Sequence, residues 1–151
     1  MNSPQEKKIS GILEKISAVH LTWKRYIQKE LSAYGITPQQ IYVLRRLARN
    51  NFLFPAQIAR LVFCDRPTAT VIIKNMERQG WVSREQDPDN RKRRRICITP
   101  AGQAKLASIP ESAYRTSKTE FDPLACFTEQ EQAALEQLLT KLTEHLRQLQ
   151  A

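Results

Sequence analysis

The sequence predicts a mainly α-helical chain with one small β-hairpin, an α+β arrangement in which the hairpin follows two short helices. Three observations predict it. Apolar residues recur at steps of three and four near both ends of the chain. Proline-led helix starts punctuate the middle, and the helical period gives way to alternation after Gly80. At 151 residues, 41% hydrophobic and 26% charged, the chain has the size and composition of one ordinary domain, which argues against general disorder.

The elements follow in order. From Ile9 the apolar residues Ile12, Leu13, Ile16, Val19, Trp23, Ile27 and Leu31 form one stripe of a long helix, which Gly35 closes. Thr37-Pro38-Gln39-Gln40 has a capping hydroxyl, a first-turn proline and an amide that reaches back. Ile41, Leu44 and Leu47 continue that helix towards Asn50-Asn51. Phe54-Pro55 opens a short helix over about residues 55–63, lined inside by Ile58, Ala59, Leu61 and Val62. Asp65 offers a carboxylate to the free amides of the next helix, over about 66–79, with Pro67 in its first turn. Val71, Ile72 and Met76 are its expected apolar stripe and Gly80 its stop. Two short helices joined by a tight turn, with small Ala59 where they cross, form a helix-turn-helix.

Beyond Gly80 the run Trp81-Val82-Ser83-Arg84 and the alternation over residues 94–99 flank Asp87-Pro88-Asp89-Asn90, a group of turn formers, and so predict a hairpin. Thr99-Pro100 caps a helix running through Ala101-Gly102 towards Leu106, and Pro110 ends it. Residues 111–127 carry no clear period, with a loop expected at Asp122-Pro123. Thr128 and Glu131 then form a capping box for a last helix striped by Leu135, Leu138, Leu139, Leu142, Leu146 and Leu149. The middle has its own core pattern, so the two long terminal helices are expected to pack against a second subunit rather than on their own domain.

Five consecutive cations, Arg91, Lys92, Arg93, Arg94 and Arg95, sit on this hairpin, in a chain of net charge +9 and pI near 9.8. Such a run is a disordered tail, a solvated strand edge or a finger that meets a polyanion. Its internal position argues against a tail. A cationic hairpin directly after a helix-turn-helix is the wing of a winged helix, whose exposed tip lowers the cost of crowding charge. Arginine there suits the strongly negative potential of a narrow minor groove.

The chain also resembles the MarR-type winged-helix transcription regulators. The resemblance is carried by Thr37-Pro38, Ile58-Ala59, Thr68-Ala69-Thr70, the run from Met76 to Arg84, Asp87-Pro88-Asp89-Asn90-Arg91, Ile98-Thr99-Pro100-Ala101-Gly102 and the run from Phe127 to Glu131. It implies a homodimer on double-stranded DNA, with residues 1–35 and 103–151 as a helical dimerisation region and 36–102 as the winged helix-turn-helix. It further implies a recognition helix in the major groove. Arg66, Thr68, Thr70 and Lys74, opposite Val71 and Ile72, are its candidate DNA contacts.

The family's acidic-x-arginine signature maps onto Asp89, holding the loop, and Arg91, pointing to the minor groove. Arg84 is expected to pair with that carboxylate or touch phosphate. The chain departs from the pattern at Asn90, where relatives often carry a basic residue, and by adding Lys92, Arg93, Arg94 and Arg95. Strand side chains alternate, so these cannot all face DNA, and the remainder are solvated or pair with Glu85 and Asp87. The implied function is sequence-specific transcription control, most often repression by occluding a pseudo-palindromic operator. Release by a small aromatic or phenolic ligand is also implied, with His20, Trp23, Tyr26, Tyr42 and Arg45 as candidate pocket residues.

Two alternative functions stand beside this one. Cys64, near Arg66 and a helix N-terminus, raises a thiol-based redox regulator, although a cysteine flanked by Val62-Phe63 is more often a small core residue. Cys97 reads as core, Cys126 is ambiguous, and the family's sensing cysteine in the first helix has no counterpart. The other alternative is a basic nucleic-acid or protein interaction module without operator specificity. His20 and His145 lack the further ligands a metal needs, and no glycine-rich phosphate loop or nucleophile elbow occurs, so neither cofactor nor catalysis is expected. No apolar run approaches the roughly 20 residues of a membrane span. No secretory signal is read in MNSPQEKKIS, and three cysteines without CxxC spacing suggest a reduced, cytoplasmic setting.

Overall fold

A computed structural model describes residues 4–110 and 122–149, with side chains from residue 11 onward. They belong to two compact units, residues 1–114 and 115–151. The first contains α1 (Pro4–Ser32), α2 (Pro38–Arg49), α3 (Pro55–Leu61), α4 (Arg66–Arg78), β1 (Val82–Gln86), β2 (Arg94–Ile98) and α5 (Pro100–Ser108). The second contains α6 (Glu129–Leu149).

Local chemistry sets most boundaries. The Thr37 hydroxyl accepts from the Gln40 N–H at 3.2 Å, and the Gln40 side chain accepts from the Thr37 N–H at 3.0 Å. This completes the reciprocal box at the start of α2. Thr99 caps α5 by accepting from Gly102 N–H at 3.0 Å. Thr128 and Glu131 close a second box at 3.2 and 2.9 Å ahead of α6. Gly35 and Gly80 take φ of +62° and +75°, ending α1 and α4 in the left-handed conformation that costs glycine least. Gly102 has a different reason to be small. A Cβ there would lie 2.1 Å from the Trp81 carbonyl oxygen, where α5 turns back onto the start of the hairpin.

The core lies among α1, α2, α3, α4 and the base of the hairpin. Leu31, Leu44, Leu47, Ile58, Ile73, Met76 and Ile96 are fully buried there, each aliphatic side chain contributing roughly 2 kcal/mol of apolar burial. The strands pair antiparallel with Val82 opposite Ile98 and Gln86 opposite Arg94. Leu53, in the loop before α3, adds a one-residue rung by exchanging both backbone hydrogen bonds with Ile96, at 3.0 and 2.8 Å.

Several expectations need correction. Trp81 is a buried turn residue and the first strand begins at Val82, because the Trp81 amide donates back to Met76 and its carbonyl accepts from Thr99. Helix α3 ends at Leu61, leaving Phe63 in the turn. Val71 is 57% exposed, so it is no part of the α4 stripe, which runs through Ala69, Ile73 and Met76 with Ile72 at its edge. Of the segment without a clear period, residues 111–121 lie outside the described residues. At Asp122-Pro123 a turn forms in which Asp122 accepts from Leu124 N–H at 2.9 Å. Helix α6 buries none of its residues, and Leu138 and Leu149 are 64% and 70% exposed. Among the described residues no helix is long and apolar enough to cross a membrane.

Candidate nucleic-acid interface

Helix α4 begins with a charged cap. Asp65 accepts from the Thr68 N–H at 2.7 Å, and hydrogen bonding from Thr68, side chain first and backbone second, holds the Asp65 carboxyl below its usual range. Burying Ala69, Ile73 and Met76 turns the opposite side outward. Of the nominated residues, Arg66, Thr68 and Lys74 are exposed. Thr70 is half-buried and donates its hydroxyl to the Arg66 carbonyl at 2.9 Å, which leaves less of it for a ligand. Sequence reasoning missed two residues on this face, Val71 and Arg78, both exposed. Counting 100° steps from the small Ala69 instead of from Val71 would have found them.

The hairpin has its own internal charge structure. Asp87, only 2% exposed, is the acid that holds the loop. Its Oδ1 accepts from both Nε and a terminal guanidinium nitrogen of Arg95, at 3.0 and 2.7 Å, and from the Asp89 N–H at 3.2 Å. Asp89 points outward with its side chain 90% exposed, 3.6 Å from Arg95. Arg84 pairs with Glu77 of α4 at 2.8 Å rather than with Asp89, because residue 84 shares the sheet face of Ile96, which looks towards α4. Arg91, Lys92 and Arg94 are exposed, and no ion pair engages them among the described residues. Arg93 is also exposed, with its guanidinium stacked on the Phe54 ring at 3.7 Å.

The remaining candidates lie elsewhere in the first unit. Trp23 and Tyr26 stack with centroids 5.5 Å apart and pack half-buried on the core, while His20 is exposed. Tyr42 and Arg45 line a shallow recess of about 110 Å³ with Arg46 and Arg49. Burial, then the neighbouring Asp65 charge, pushes the Cys64 thiol up, the reverse of what the nearby arginine and helix start suggest for a reactive thiolate. Cys97 is raised as well, by burial first and then by Glu85. Among the described residues no cluster of three metal-ligating side chains occurs.

Comparison with known proteins meets the same region. The MarR family model matches residues 36–93, from the last residue before the α2 cap through the whole hairpin loop to the start of β2. PecS of Dickeya dadantii, an HTH-type transcriptional regulator, is 26% identical over 138 residues, covering 89% of this chain and 81% of PecS. The crystal structure of the transcriptional regulator SlyA, also 26% identical, superposes with a TM-score of 0.75 over 89% of this chain and 93% of SlyA. Residues 36–93 carry a MarR-type domain. The chain's MarR-type winged helix-turn-helix comprises α3, α4 and the β1–β2 wing, and the relatives it resembles are transcription regulators. A cysteine-to-serine variant of E. coli MarR in complex with operator DNA shares that fold, with a TM-score of 0.76 at 22% identity over 93% of this chain and 99% of MarR.

Proposed function

We propose that the chain is a sequence-specific DNA-binding regulator that acts as a homodimer on a pseudo-palindromic operator and represses by occluding it. One juxtaposition carries the reading. An outward helix face bearing Thr68, Val71, Lys74 and Arg78 is followed directly by a hairpin tip bearing the unpaired cations Arg91, Lys92 and Arg94. Helix α4 enters the major groove. There Val71 offers methyl groups to thymine, Lys74 and Arg78 offer donors to base edges or phosphate, and Arg66 and Thr68 flank the backbone. The wing reaches the adjacent minor groove through Arg91. The exposed leucine stripe of α6 and the exposed Ile12, Leu13 and Val19 of α1 supply the dimer surfaces. Two-fold symmetry then sets half-site centres about 10 base pairs apart. A cytoplasmic location accompanies a chromosomal partner.

The test is selection from a random duplex library followed by salt titration of the selected site. One palindromic motif should emerge. Arg91→Ala with Arg94→Ala should flatten the slope of log K against log salt by about two units. Absence of any preferred motif would favour the basic interaction module.

The ligand reading extends this proposal. The stacked Trp23–Tyr26 pair is an apolar wall, and Tyr42 beside Arg45 is a polar anchor suited to an aromatic acid. Thermal stabilisation by phenolic acids, lost in Trp23→Ala, tests it. The raised Cys64 thiol speaks against peroxide control, and DNA affinity should survive mild oxidation.

A further inference from the structure

The five consecutive cations of the wing do not share one environment. Strand alternation sends residues 93 and 95 to one side of the hairpin and residue 94 to the side of Ile96 and Arg84, which looks towards α4. On the first side the protein has placed two aromatic rings. The Arg93 guanidinium carbon lies 3.7 Å from the centroid of Phe54, and that of Arg95 lies 4.0 Å from Phe52. The rings meet edge to face, with centroids 5.4 Å apart and planes at 71°. Leu53 between them is hydrogen-bonded to Ile96 in both directions, so backbone pairing holds the rings under the arginines.

This arrangement ties the wing to the helix-turn-helix at two points. Phe54 is the residue from which α3 starts, its N–H donating to Gln57 Oε1 at 2.8 Å and its carbonyl accepting from Ile58 N–H at 3.1 Å. Arg93, stacked on Phe54, also closes the loop through its backbone, its carbonyl accepting from Asp87 N–H and its amide donating to Asn90. On the other strand Arg84 grips Glu77 near the end of α4. Both strands are therefore pinned to the two helices that set how the protein meets DNA. A wing held this way before contact loses less freedom on binding.

We propose that Arg93 and Arg95 are positioning residues, clamping the wing onto Phe54 and Phe52, and that Arg91, Lys92 and Arg94 are the cations the wing presents to DNA. The second half rests on the DNA-binding reading above; the clamp does not. It gives Arg93 a task different from the phosphate or groove contact that its place in a basic run suggests. The basic run is two sets of residues interleaved by strand geometry.

The experiment uses the full chain and its selected duplex. Phe54→Leu removes the π face but no charge. It should weaken binding by about 2–5-fold at fixed salt, leave the salt slope unchanged and accelerate exchange of the Asp87 and Arg93 amides in the free protein. Arg93→Gln should match it in affinity and slope, the double variant should be no worse than either single, and Phe54→Tyr should bind like the parent. Arg94→Gln should instead lower the slope by about one unit. A full unit of slope lost in Arg93→Gln, with amide exchange unaltered in Phe54→Leu, would overturn the clamp. Failure to bind any duplex would remove the DNA half, and amide exchange would still decide the clamp half by itself. Should Phe54→Leu prove unfolded, Arg93→Gln and Phe54→Tyr carry the same discrimination.

Discussion

Helices α4 and α6 have similar amphipathic patterns and opposite fates. Both start at a side-chain cap and both carry an apolar stripe. In α4 the stripe closes onto the core, with Ala69, Ile73 and Met76 at 1% exposure or less. In α6 the leucines remain accessible, Leu138 at 64%. A stripe specifies that a surface must be covered and leaves open which surface covers it. In α4 that surface is α3, α2 and the hairpin base; in α6, on the proposed reading, it is a second copy of the chain.

Truncating each stripe separates these fates. Ile73→Ala should cost about 3 kcal/mol in chemical denaturation, independent of protein concentration, since it opens a cavity within one chain. Leu138→Lys should leave the first unit's denaturation unchanged yet raise the dimer dissociation constant by more than about tenfold, as read by analytical ultracentrifugation. A concentration-independent loss of stability there would mean that α6 is covered within its own chain. Val71→Ala lies on the open side of α4. It should change stability by less than about 0.5 kcal/mol and weaken the selected operator by about 1 kcal/mol, mainly at one thymine position.

The smallest effect concerns the α4 cap. The Asp65 carboxyl titrates below its unfolded value, so its stabilisation is fully present above about pH 4 and fades as pH falls through the lower folded value. Thr68 amide protection should therefore decline in acid, and in Asp65→Asn it should be flat over the same range.

What the sequence makes legible is mostly local. Thr37 with Gln40, Asp65 with Thr68, and Thr128 with Glu131 are separated by three residues, so a hydroxyl or carboxylate and its amide are adjacent in the chain as in space. The hairpin is legible for the same reason, from turn formers between two alternating runs. Pairings made by tertiary packing are harder to see. Whether Arg84 meets Asp89 or Glu77 depends on which sheet face looks at α4. That Asp87 is the buried acid and Asp89 the exposed one depends on a loop twist no spacing rule gives. Val71 is read into the core because valine is more apolar than alanine, whereas the buried side of α4 runs through the small Ala69 and leaves Val71 exposed. No spacing marks the rings of Phe52 and Phe54 as partners of Arg95 and Arg93, because the Leu53–Ile96 rung alone puts them beneath the arginines.

Phe63 has a consequence of another kind. Helix α3 ends with the Cys64 amide donating to the Ala59 carbonyl at 3.0 Å, a closure that needs residue 63 at φ +53°, where glycine is the usual occupant. A bulky residue pays roughly 1–2 kcal/mol in that conformation, and its ring, 80% exposed, recovers little by packing. The molecule thus keeps an unused margin of robustness at the elbow of its reading head. Anyone adapting this scaffold to tolerate harsher substitutions would begin there, with Phe63→Gly.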